Sequence, residues 1–167
     1  CCQHGAVTLI LHYQERHMLE NYTARSGRII PVWTIEIQTL AEDADRLLDA
    51  VMQVHPLGYD RYQRNASISA IGQETTQPEP RSTTATHKAG FQTDTTETYP
   101  MVEVKISIER DLEALERVMD ALIDAHHDEE PVIFVRQDWV SRTVYDPSRT
   151  NPNRWWNNGR GLPRPLT

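Results

Sequence analysis

Apolar and polar residues alternate in two parts of this chain, and each part runs on into a helical stripe. At 32–38, Trp33, Ile35 and Ile37 fall on one face, with Thr34 and Glu36 on the other. A period of two predicts a half-buried strand. Thr39 then stands three residues before Glu42, the spacing of a capping box. Ala44, Leu47, Leu48, Val51 and Val54 recur at helical spacing and predict an amphipathic helix. Pro56 cannot continue that helix, and Gly58 suits a reversal. Residues 59–71 alternate again, with Tyr62, Ala66, Ile68 and Ala70 the less polar positions, and predict a second strand.

The second part repeats the first. Val102, Val104, Ile106 and Ile108 face one way, and Glu103, Lys105 and Ser107 the other, the clearest strand pattern in the chain. Leu112, Leu115, Val118, Met119, Leu122 and Ile123 form the stripe of a helix over 111–125, with Asp111 placed to cap it. The apolar run 132–135 predicts a last strand that continues toward Trp139. Between the halves, 72–98 is almost wholly polar, contains Pro78, Pro80 and Gly90, and has no stripe. It reads as a long exposed loop, a feature that in compact domains goes with function or disorder.

The flanks carry less pattern. Residues 6–11 read as a short strand, 15–24 as helix or loop, and 26–28 as a turn. The stretch 145–167 holds Pro147, Pro152, Pro163 and Pro165 and reads as extended and irregular. The expected organisation is an N-terminal extension over 1–30, one domain over 31–140 and a Pro/Arg/Trp tail over 141–167.

An offset of 71 overlays the two strand–helix parts. It places Ile35 and Ile37 on Ile106 and Ile108, and Arg46, Asp49, Ala50 and His55 on Arg117, Asp120, Ala121 and His126. Two strand–helix–strand units in one four-stranded sheet give an α+β, ferredoxin-like βαββαβ sandwich with both helices on one face. The other face, with Thr34, Glu36, Glu103 and Lys105, is too polar for a dry core and suits solvent or a partner's sheet edge.

Composition narrows the function classes. The chain has 167 residues, 38% of them hydrophobic and 25% charged, enough for one core without a metal or disulfide to hold it. A formal charge of −7 argues against a general nucleic-acid binder. No apolar run is long enough for a membrane span. The only cysteines, Cys1 and Cys2, are neighbours and poorly placed to pair with each other, so a reducing cytoplasm is the expected compartment. The opening stretch lacks the basic and apolar regions of a signal peptide.

The run 101–135, with His126-His127-Asp128-Glu129-Glu130-Pro131 after its helix, resembles the second half of CutA and of the PII-like domain inserted in Nif-three-like proteins. In those families an equivalent helix precedes a His-Pro-Tyr-Glu-(Glu/Val)-Pro signature. His126, Glu129, Glu130 and Pro131 match it, while His127 and Asp128 replace its Pro and Tyr. The likeness extends over about 31–137, with Gly58-Tyr59-Asp60-Arg61-Tyr62 opening the long strand of the first half. The resemblance implies a ferredoxin-like subunit, often a homotrimer whose sheets face a central axis. It also makes 72–98 the loop that contacts partners, with ligand clefts near its base. The Gly-rich phosphate-binding pattern that nucleotide binding would need is missing from this sequence.

His126, His127, Glu129 and Glu130 are the densest set of metal-ligand types, suited to a divalent transition metal. The competing reading is structural: a histidine at a helix C-terminus complements the dipole, and the carboxylates are solvated. Cys2, His4, His12 and His17 offer soft donors without a zinc-type spacing. In the loop, Arg81, His87 and Lys88 are the basic residues that would meet a small anionic ligand; the alternative is a tether with incidental charges. Trp155 and Trp156 suit packing on the domain, on a neighbouring subunit or on a partner protein. With Arg149, Arg154, Arg160 and Arg164 they also suit stacking on single-stranded nucleic acid, which the acidic whole disfavours. No nucleophile elbow, P-loop or HExxH motif is present. The expected function is a non-enzymatic, PII/CutA-like small-ligand-binding or signalling protein acting through 72–98. The alternatives are an interaction module and a CutA-like divalent metal binder.

Overall fold

The computed structural model describes residues 19, 22–59, 61–82, 95–151 and 153–157. The predicted strand over 6–11, and Cys2, His4, His12 and His17, lie outside them, as do His87, Lys88, Arg160 and Arg164. The elements in chain order are β1 (Thr23–Ala24), β2 (Gly27–Thr39), α1 (Ala44–Val54), β3 (Ala66–Ile68), β4 (Gly72–Thr76), β5 (Glu97–Glu109), α2 (Leu112–Ala125) and β6 (Ile133–Thr143), then a 3-10 turn (Trp155–Asn157). Val32–Asp138 forms one compact unit; the chain up to Pro31 and from Trp139 onward forms another.

The sheet is built on β2 and β5, which pair antiparallel from Val32 opposite Glu109 to Thr39 opposite Val102. β6 pairs with β2, and β3 and β4 pair in turn with β5. The spatial order β6-β2-β5-β3/β4, with α1 and α2 as crossovers, is that of a ferredoxin-like βαββαβ sandwich. Register explains the core. Ile35 sits opposite Ile106 and Ile37 opposite Val104, so one sheet face is apolar over both central strands. Leu47, Leu48 and Val51 of α1, and Ala114, Val118 and Leu122 of α2, close over that face. Each such buried Leu, Ile or Val side chain stabilises by about 1.5–3 kcal/mol relative to exposure.

The helix stripe of α2 is narrower than the sequence suggests. Leu112 and Ile123 lie off the 114–118–122 line and are 71% and 50% exposed. Asp111 does cap the helix, its carboxylate accepting the Ala114 N–H at 2.8 Å. The capping box at Thr39 does not form. Thr39 is still strand, wholly buried opposite Val102, and Leu40 and the turn residues Ala41, Glu42 and Asp43 follow before α1 begins at Ala44. On the other sheet face Glu103 and Lys105 are exposed, Glu36 pairs with Arg136 at 2.8 Å, and Thr34 is buried rather than solvated.

The predicted strand over 59–71 is mostly turn. Tyr59 and Tyr62 bridge each other, and only Ala66–Ile68 joins the sheet. The reversal after α1 falls on Leu57, at φ 47°, and not on Gly58. Arg64, also at positive φ, returns to Asp45 and Asp49 of α1 and holds the turn to the helix.

The polar segment after residue 71 is not all loop. Gly72–Thr76 pairs with Met101 back to Glu97, so a two-stranded ribbon extends from the sheet. β3 and β4 are out of step by one residue. From Ile68 to Gly72 is four residues, whereas their partners Val104 and Met101 are three apart, which makes a β-bulge. Ser69 fills the gap: its hydroxyl accepts the Glu103 N–H at 2.9 Å and donates to the Ala70 carbonyl.

In the second unit, the Ile29 N–H donates to the Tyr22 carbonyl and the Val144 N–H to the Ser26 carbonyl. Asp146 accepts from the Ser148 hydroxyl and backbone and lies 3.7 Å from Arg25.

Candidate functional site

The offset of 71 has an atomic counterpart. His55 and His126 each follow the last residue of their helix, and each folds its ring back under the chain. The Leu57 N–H donates to His55 Nδ1 at 3.0 Å, and the Asp128 N–H donates to His126 Nδ1 at 3.1 Å. The two Nε2 atoms reach the far strand of the opposite half. His55 meets Glu109 at 2.7 Å, and His126 donates to the Gln38 carbonyl at 2.9 Å. Gln38 and Glu109 are themselves 71 apart, so the same clasp is built twice. Partial burial pushes the Glu109 carboxyl up, but the His55 hydrogen bond and charge, with a backbone N–H, outweigh it and hold the pKa below the ordinary range.

After the second clasp the chain turns through 127–130 along the base of the ribbon. A cleft of about 660 Å³ opens there. One wall is ribbon: Glu74 and Thr76 from β4, Tyr99 and Met101 from β5. Pro78, which is buried, brings Glu79, Arg81 and Ser82 back along it. The other wall is Leu40 and the turn His127, Asp128, Glu129 and Glu130. The cleft thus joins Arg81 with His127, Glu129 and Glu130, residues that the sequence assigned to two separate sites. His126 is not on the lining: its side chain is fully buried beneath the turn.

His127 has carboxylates on both sides. Its Nδ1 lies 3.2 Å from Asp43 Oδ2 and its Nε2 lies 2.8 Å from Asp128 Oδ1. Its ring stacks on that of His126, centroids 5.1 Å apart and planes 19° from parallel. Neither Asp43 nor Asp128 stood out in the sequence as a site residue. Asp43 sits 84 positions before His127, and only the return of α2 over the start of α1 brings them together. Arg46 marks the same junction, bonded to both Asp43 and the Ala125 carbonyl.

Five lining carboxylates (Glu74, Glu79, Asp128, Glu129, Glu130) face one arginine and one histidine. Such a field attracts cations and repels free anions. In the tail, Trp155 begins the 3-10 turn, and Trp156 is half-buried with Tyr145 edge-on at 5.2 Å. Among the described residues no helix is long and apolar enough to cross a membrane.

No family model matches the chain, and no curated protein matches it. Solved structures do. A Bacillus cereus protein related to NIF3 superposes with a TM-score of 0.50 at 16% identity over 74% of this chain, which spans 30% of that protein's length. CutA1 from Ehrlichia chaffeensis, a divalent ion tolerance protein, gives 0.43 at 13% identity, with 78% of this chain and 96% of that one covered. CPII, a nitrogen regulatory PII-like protein from Thiomonas intermedia K12 solved with ADP, AMP and bicarbonate, gives 0.41 at 14%, with 70% and 100% covered. At these identities the likeness is one of fold, and the chain has a ferredoxin-like fold shared with part of the NIF3-related protein.

Proposed function

We propose that this protein is a non-enzymatic binding and signalling module that takes a small cationic ligand at the base of its ribbon and acts through the segment 72–98. One observation carries the reading: the same cleft is lined by both arms of the ribbon, by its return at 78–82, and by the turn that follows α2. A ligand held there touches the domain and the base of the 72–98 segment together, so occupancy biases the position of that segment. The sign of the ligand follows from the five carboxylates. A small anion, the ligand that Arg81, His87 and Lys88 suggest, would enter this cleft only bridged by a cation. The reading retains the homotrimer that the family resemblance implies; light scattering of the purified chain tests it, and a monomer would remove it.

Thermal unfolding of the full chain with magnesium, zinc, spermidine, or ATP without metal tests the ligand class. A cation at 100–1,000 times its dissociation constant stabilises by about 2.7–4.1 kcal/mol. ATP alone is expected to give no shift. Equal stabilisation by metal-free ATP would overturn the cationic assignment. No response to any of them would leave the chain as an interaction module.

A further inference from the structure

His126, His127 and Asp128 are consecutive, yet their side chains converge. One donor atom from each lies within 4.8 Å of the others. Asp128 presents one carboxylate oxygen to each ring: Oδ1 is 2.8 Å from His127 Nε2, and Oδ2 is 3.7 Å from His126 Nδ1. Ligands that share a zinc-like ion at about 2.0–2.2 Å stand roughly 3–3.5 Å from each other. Coordination therefore requires the three donors to draw closer, with His126 Nδ1 giving up the Asp128 N–H.

The far nitrogen of each ring is already held. His126 Nε2 donates to the Gln38 carbonyl, and His127 Nδ1 faces the Asp43 carboxylate. This is the outer-shell arrangement that orients metal-binding histidines: the remote N–H is bonded to a carbonyl or carboxylate, and the near nitrogen carries the lone pair. With Nδ1–H directed at Asp43, the lone pair of His127 Nε2 points at a carboxylate oxygen 2.8 Å away. Two electron-rich atoms at that distance need a cation between them, a proton or a metal.

We infer that His126 Nδ1, His127 Nε2 and the Asp128 carboxylate form a divalent transition-metal site, with Asp43 and the Gln38 carbonyl as its outer shell. The inference rests on the cleft reading and names the class of ion at one end of it. Two imidazoles and a carboxylate suit zinc, cobalt or nickel better than magnesium or calcium. His127 and Asp128 also line the cleft, so the remaining coordination position opens toward the ribbon. Occupancy has a structural consequence. His126 Nδ1 now accepts the Asp128 N–H; coordination takes that lone pair and releases the N–H. The turn 126–130 must re-form, and the wall it gives to the cleft re-forms with it.

Cobalt is the probe, because its visible d–d bands report imidazole and carboxylate coordination directly. The full chain, His127→Ala and Asp43→Asn are titrated with cobalt, and calcium and spermidine are followed by thermal shift. His127 is partly exposed, and Asp43 makes no side-chain cap bond to α1, so neither change is expected to unfold the protein. Metal bound elsewhere on the chain persists in both variants, and the difference from wild type reads this site alone. The expected result is loss of the d–d signal in His127→Ala and about 10- to 100-fold weaker cobalt binding in Asp43→Asn. The spermidine response should stay unchanged in both. Equal cobalt affinity in all three proteins overturns the site. A calcium or spermidine response without any cobalt signal overturns it too, and leaves the cationic cleft standing. Silence toward every cation removes both.

Discussion

Leu57 shows what a single residue contributes to this fold. It sits at φ 47°, a region that costs a residue with a Cβ about 1–2 kcal/mol, and it is wholly buried in the core. Burial of the side chain outweighs the backbone strain. Its carbonyl also accepts from the Asn65 backbone and side chain, and its N–H goes to His55. Truncation should therefore rank in an unusual order. Leu57→Ala keeps the strain and opens a cavity, at about 2–5 kcal/mol. Leu57→Gly loses the same packing but relieves the backbone, and should be the more stable of the two by about 1 kcal/mol. Urea midpoints of both variants decide this, and a more stable alanine variant would show that the backbone is unstrained. Glu109 makes a second prediction. Its pKa is lowered in the folded protein, so its contribution is present above the unfolded carboxylate value and is lost as pH falls through the folded one. Its side chain is 61% exposed, so solvent keeps the effect below about 1 kcal/mol. Glu109→Gln should flatten the stability curve below about pH 5, which urea unfolding across about pH 3–7 checks. At this scale the sequence was half legible. His55 and His126 stood out as an equivalent pair. What each ring would hold did not, because the partners lie on strands of the opposite half. Gln38 and Glu109, separated by the same 71 positions, were the available signal.

Elements were legible wherever one face is apolar. β2, α1, β5 and α2 all bury a stripe, and all four stand where periodicity put them. The ribbon was invisible for the converse reason. Gly72–Thr76 is almost wholly exposed on both faces, so no alternation marks it, and its pairing rests on backbone bonds to Glu97–Met101. The bulge that sets it off depends on one hydroxyl. Ser69→Ala removes the acceptor of the Glu103 N–H and should cost about 0.5–1.5 kcal/mol. The exchange rate of the Glu103 amide is the more specific measure. It should rise in Ser69→Ala and recover in Ser69→Thr, which restores a hydroxyl. An unchanged rate would mean that the Ser69 hydroxyl does not protect this N–H. The other misplaced features have a shared origin. The capping box at Thr39 and the apolar positions Leu112 and Ile123 fit local patterns, but packing of α1 and α2 on the sheet decided which positions were used.

Across the whole Val32–Asp138 unit, the two clasps tie each half to the other. The helix end of the first half is fastened to β5, and that of the second to β2. The fold class followed from the sequence because it needs only the order of periodic segments. The site did not, because it needs the return of one half onto the other to bring Asp43 to His127 and the ribbon to the 126–130 turn. The clasps differ in depth, and that difference predicts their energies. His126 is fully buried and bonded at both nitrogens to backbone groups, which lose their partners outright if the ring goes. His55 has a mostly exposed carboxylate as its Nε2 partner, which water can serve instead. His126→Ala should cost about 2–4 kcal/mol and His55→Ala about 1–2 kcal/mol, since a buried unpaired polar group costs roughly 1–3 kcal/mol. The two rings share no hydrogen-bond partner, so the double variant should lose the sum of the two within about 0.5 kcal/mol. A larger departure, measured by urea unfolding of the four proteins, would mean that β2 and β5 pass strain from one clasp to the other. In that case a change at the second turn, where the cleft is walled, would be felt at the end of α1 as well.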